Sequence, residues 1–295
     1  MHRGGVSRRL VWIRRVVALA LLAGGLAAGV WVTTLALDAV RDEPPPPPPR
    51  VTAPPPKPLR IIFPEGFTRV DMGRRITAVN RIAVRRRKIR PRLSARTYLA
   101  ATARHPLPGR FAGDRKPRSL EGFLFPSTYD FVRKTTSKQL VAKQLQAFQR
   151  NWRRLDLAYA RSRRLTSYDV VIIASMIEKE VRVPRERALV AAVIYNRLRA
   201  GIPLGIDATI RYGLDIPATE AIRQSQLENR TPYNSRIFTG LPPTPIANPG
   251  FASLQAATRP ARVDYLFFVR KSDCKSHFFT ADEDEFFARV AAPRC

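Results

Sequence analysis

Two glutamates separated by one lysine close an apolar stretch, IIASMIEKEVRVPRE, at residues 172–186. The side chains leading to Glu178 and Glu180 are aliphatic nearly all round, so Ser167 to Val181 reads as a buried helix. A carboxyl taken out of water among aliphatic groups holds its proton to higher pH. Such a group can donate a proton to a leaving oxygen. Glu178 shares a helix face with Val171 and Ala174, while Glu180 leaves the other side near Ile173 and Met176. This geometry separates the two glutamates only weakly. Arg182, Arg185 and Arg187 also stand close enough to make either one an ordinary ion-paired residue.

Other chemistry is sparse. Asp207 in GIDAT and Glu121 in LEGF are further carboxylates in tight motifs, and neither spacing marks a pair with Glu178 by itself. No Ser-His-Asp or Cys-His constellation stands out, and neither a P-loop nor a strand followed by GxGxxG is present. His2, His105 and His277 are scattered, and Cys274 and Cys295 form no CxxC. No His/Cys metal site and no cofactor are expected. The two cysteines could form one bridge in an oxidising compartment.

The elements that must hold the glutamates follow from the flanking pattern. Pro184 breaks the first helix and sits at the natural start of a second, Arg185 to Ala200, capped by Gly201. Both helices are apolar enough to form the core of a domain. Beyond Gly201 come loops dense in Pro, Gly and Asn, of the kind that carry a site beside rigid helices. Phe251 to Thr258 reads as a helix, DYLFFV and HFFT as paired strands, and Asp282 to Val290 as a terminal helix. Upstream, LRIIF at 59–63 is a strand and Thr68 caps a helix through Val79, with Asp71 completing the cap. Ser94 caps a short helix, ARTYLAATA. Leu120 to Val132 is a strand or loop, and residues 136–160 follow a helical period before Thr166 or Ser167 starts the glutamate helix.

The chain carries a formal charge of +29, from 52 Lys and Arg against 23 Asp and Glu. Charge of that size calls for an anionic partner: nucleic acid, a membrane surface or an acidic polymer. The densest tract runs from Arg81 to Arg96 and has few interleaved aromatics, which argues against nucleic acid. Residues 1–15 are a basic tail, and Val16 to Ala39 is an apolar run long enough to cross a bilayer. Arginines before the run and Asp38 at its end place the N-terminus in the cytoplasm. The proline-rich stretch 40–58 is a semi-rigid spacer. The expected organisation is a transmembrane helix at 16–39, a small α/β module at 59–116 and a mixed α+β domain at 117–295. The fold class is thus α+β, built around two buried helices.

The series EGFLFPSTYDF, IIASMIEKE, AAVIYNRL, GIPLGIDATIRYG, TPYNSR, GLPPTPIANPG and YLFFV…HFFT resembles the YceG-like (MltG) endolytic murein transglycosylases over about Leu120 to Thr280. The resemblance implies that the module is LysM-like and that the enzyme cleaves nascent peptidoglycan strands to 1,6-anhydro-N-acetylmuramoyl ends. It implies Glu178 as the catalytic acid and base, and Asn196, Asp207, Tyr233 and Asn234 as candidate contacts to sugar. One glutamate suffices, because it can first protonate the leaving oxygen and then deprotonate the sugar's own C6 hydroxyl. The catalytic domain would face the periplasm from the inner membrane, with peptidoglycan synthases as candidate partners. A non-catalytic wall-binding scaffold and a two-carboxylate glycan hydrolase are the rival readings. The chain departs from the family pattern at Gly205, Ala208 and Arg236, and it lacks the histidine usual after the HFFT strand.

Overall fold

The computed structural model describes residues 8–41, 58–108, 111 and 118–291. It divides into two units, with a break near residue 55. The first contains one helix, α1 (Arg8–Arg41), whose segment Val11–Leu37 is the one helix among the described residues long and apolar enough to cross a membrane. The basic tail before Arg8 and most of the proline-rich spacer lie outside the described residues.

The second unit begins with β1 (Leu59–Ile62), α2 (Arg69–Arg87) and α3 (Ala95–Ala103). Thr68 caps α2 reciprocally with Asp71, and Ser94 caps α3. The helix at 69 outruns the expected end at Val79 by two turns. Lys88 closes it in the left-handed conformation, its N–H bonded to Ala83 and Val84 carbonyls. Next comes β2 (Thr128–Phe131), which pairs antiparallel with β1 so that Leu59 faces Phe131 and Ile62 faces Thr128. Leu59, Ile61, Tyr129 and Phe131 point inward and alternate with exposed residues, the period-2 pattern of a strand with one wet face.

α4 (Ser137–Trp152) and the short α5 (Ala158–Ser162) follow. They lead to the two core helices, α6 (Ser167–Glu180) and α7 (Arg187–Ala200). A single 3₁₀ turn at Pro184–Glu186 joins them, and Gly201 ends α7 in the left-handed conformation. α6 buries every residue from Val170 to Ile177. The remaining elements are α8 (Asp207–Gly213), α9 (Gln224–Leu227), α10 (Phe251–Thr258), the hairpin strands β3 (Phe267–Arg270) and β4 (His277–Thr280), and α11 (Glu283–Ala291). α8 forms where the sequence suggested irregular loop.

Residues 59–116 share one core with the rest of the unit. β1 finds its partner at 128–131, and Ile61, Phe63, Met72 and Tyr98 belong to the same buried cluster as Val171, Ile177 and Ile194. A break at 116 would strip β1 of β2, its one partner strand among the described residues. Cys274 is disulfide-bonded, and Cys295 lies outside the described residues.

Candidate active site

The end of α6 sends its two glutamates in different directions, because positions two apart lie on opposed sides of a helix. Glu180 enters a cleft of about 1810 Å³ whose walls come from α2, the α7–α8 segment and the β3–β4 hairpin. Asp207, Arg236, Tyr212, Arg197, Arg270 and Phe268 are among the residues that share the cleft with Glu180. Glu178 is not among them.

The surroundings of Glu180 set its proton affinity. Burial pushes its carboxyl up to about 7, and the neighbouring Asp207 carboxylate pushes in the same direction. The Arg270 guanidinium, the Ala208 N–H and Lys179 oppose that rise. Asp207 is itself held by Arg236, Nε to Oδ1 at 2.6 Å. Arg270 faces His277 across the hairpin, so those two side chains and Phe268 share one sheet face. His277 is fixed from behind by buried Glu186, which accepts from its ring Nδ1 at 2.8 Å and its backbone N–H at 3.1 Å.

Glu178 makes different contacts. Its Oε2 accepts the N–H of Gly250, the cap residue of α10, at 3.0 Å. Gly66 lies against its stem, where a Cβ would stand 3.6 Å from Glu178 Cγ. Beside it is Glu65, whose carboxyl is held above the usual carboxylate range by burial and by the charge of Glu178, while Arg187 pulls the other way. The Glu65 carboxylate fills the space that a side chain on Gly250 would need. These groups tie the β1–α2 turn, the end of α6 and the start of α10 together.

The other expected site residues fall into two groups. Asp207 lines the cleft. Tyr233 packs on Tyr212 at a 5.3 Å ring separation, and its hydroxyl bonds Thr244. Asn196 spends its amide on the carbonyls of Val263 and Tyr265, and Asn234 spends its own on Leu227 and Asn229. Both asparagines are buried and brace the loops around the site. Glu121 is also committed: it accepts from the Arg69 N–H, from Asn248 Nδ2 at 2.6 Å and from the Tyr212 hydroxyl. Burial pushes its carboxyl up to about 7.

Arg270, the Glu186–His277 pair and Glu65 escaped the sequence reading. Alternation along DYLFFVR puts Phe268 and Arg270 on one strand face. Nothing in the sequence aims that face at the end of α6.

The profile of the YceG-like family matches residues 49–292, most of the chain. The chain belongs to the YceG-like family. A Bacillus subtilis (strain 168) protein named endolytic murein transglycosylase is 34% identical over 154 residues, which is 52% of this chain and 42% of that protein. A Streptococcus pneumoniae (strain R6) protein of the same name is 32% identical over 174 residues, covering 56% of this chain and 31% of its own. The aligned segment thus spans less than half of either relative. Among solved structures, the 2.6 Å crystal structure of a yceG-like protein, lmo1499, from Listeria monocytogenes superposes with a TM-score of 0.63 at 26% identity, covering 78% of this chain and 76% of that one. The YceG-like match includes the cleft, since every wall of it lies within 49–292.

Proposed function

We propose that this protein is an endolytic lytic transglycosylase that cuts peptidoglycan strands, with Glu180 rather than Glu178 as its proton-transfer group. The carrying observation is the placement of Glu180: a desolvated carboxyl, pushed up to about 7, in a cleft of about 1810 Å³. Family membership and the names of the relatives support the substrate class. In this reading protonated Glu180 donates to the glycosidic oxygen, and the C1–O bond breaks toward an oxocarbenium-like centre. The Glu180 carboxylate then takes the proton of the C6 hydroxyl as O6 closes on C1. The 1,6-anhydro ring forms, the proton is back on Glu180, and no water is consumed. The apolar helix would anchor the enzyme with its N-terminus in the cytoplasm and the cleft outside, beside peptidoglycan synthases.

A second reading, a hydrolase, draws on Asp207. Its charge reaches Glu180, and Arg236 fixes its position in the cleft, as a base or nucleophile would require. One digestion separates the readings. Purified glycan strands are incubated with wild type, Glu180→Gln and Glu178→Gln, and product masses are read. Anhydro ends from wild type and Glu178→Gln, with none from Glu180→Gln, support the proposal. Reducing ends heavier by one water mean hydrolysis. Full activity in Glu180→Gln with loss in a folded Glu178→Gln returns the role to Glu178.

A further inference from the structure

We propose that the last turns of α2 and the loop after it form a docking surface for anionic lipid headgroups. Arg81, Arg85, Arg86, Lys88, Arg90 and Arg92 are all exposed there. No acidic residue occurs between Asp71 and Asp114. The acids on adjoining elements are committed elsewhere: Asp71 closes the α2 cap, and Asp130 on β2 holds Arg60 at 3.1 Å. The tract therefore presents cations with little to neutralise them.

Charge alone would suit any polyanion. The aliphatic residues among the arginines narrow the choice. Ile82 is 56% exposed and Val84 37%, on the same turns as Arg81, Arg85 and Arg86. Ala83 between them is buried, so Ile82 and Val84 stand on either flank of the exposed Arg81 and Arg85 face. A soluble polyanion gains nothing from bare isoleucine and valine. A bilayer interface accepts both the arginines at its phosphates and the aliphatic groups just beneath them. The location agrees: Arg87 donates to the Pro58 carbonyl at 3.0 Å, so the tract flanks the point where the chain arriving from the apolar helix enters the fold. The inference is independent of the cleft's chemistry.

The test uses the chain from Pro56 onward, whose core takes no residue from α1. It is sedimented with vesicles of phosphatidylcholine alone and with vesicles containing one third phosphatidylglycerol. We expect binding to the anionic vesicles, weak or no binding to the neutral ones, and loss as salt rises. Replacing Arg81, Arg85, Arg86 and Arg90 with Gln should weaken partition by roughly 600-fold, since each arginine near such a surface is worth roughly fivefold. Ile82→Ser with Val84→Ser should weaken it several-fold at fixed charge. All substituted positions are exposed, and thermal unfolding checks that each variant stays folded. Equal binding to both vesicle types, no binding at all, or an unchanged quadruple variant would overturn the proposal. So would a soluble polyphosphate that displaces the vesicles while the Ile82 and Val84 changes have no effect. That result would reassign the surface to a soluble polyanion.

Discussion

At Glu180 the sign of every neighbouring charge can be turned into an expectation. Removing its proton with Glu180→Gln should lower kcat on glycan strands by about 10²–10⁴-fold, the usual range for a lost general acid. Donation requires the protonated form, so kcat/KM should fall as pH rises through about 7. Asp207→Asn removes a charge that raises the Glu180 value, and the descending limb should move to lower pH. Arg270→Ala removes a charge that lowers it, and the limb should move up; stopped digestions across pH 5–9 read both shifts. Stability should move with the same group. The folded-state value lies above the ordinary glutamate value of 4.5. The stability that Glu180 contributes is therefore fully present below about 4.5 and lost as pH rises through about 7. Glu180→Gln should unfold later than wild type at pH 8, by about 3 kcal/mol, and the gap should close toward pH 4.5.

The scale of the element explains what holds the cleft open. Gly122 has a φ of +90°, and a Cβ there would meet Pro245 Cβ and Val171 Cγ1, each at 2.7 Å. Gly122→Ala should cost about 2–4 kcal/mol in denaturant unfolding, from strain and overpacking together. Glu178→Ala leaves the α10 cap N–H unpaired and should cost about 1–2 kcal/mol, whereas Glu178→Gln keeps an acceptor and should cost little. Much at this scale was legible in the sequence. Thr68 and Ser94 cap the helices they were expected to cap, Thr166 rather than Ser167 caps α6, Gly201 ends α7, and Phe251–Thr258 and HFFT form a helix and a strand at the expected residues. These features depend on neighbours within a few residues of one another. The direction of Glu180 into the cleft was not legible, because it depends on the contacts of Ala208 and Arg270, 28 and 90 residues downstream. Helical periodicity gave Glu178 and Glu180 opposed faces and could not say which face would be covered by α10.

For the whole molecule, the pairing of β1 with β2 and the shared core make residues 58–291 one folding unit. Calorimetry on the chain from Pro56 should show one cooperative transition. A fragment of residues 59–116 alone should give the spectrum of an unfolded chain, because its strand has no partner. The side chain of Asn248 shows how far the unit is interlocked. Its Nδ2 donates to the Phe67 carbonyl at 2.9 Å and to Glu121, and its Oδ1 receives the N–H groups of Gly122 and Leu124. Phe67 and Asn248 lie 181 residues apart in the chain. At roughly 5–20 residues per second a ribosome needs on the order of 10–40 s to deliver the second after the first. For that interval the β1–α2 turn and the Glu121 loop wait without the amide that joins them. That junction of the nascent chain thus stays open until Asn248 has emerged.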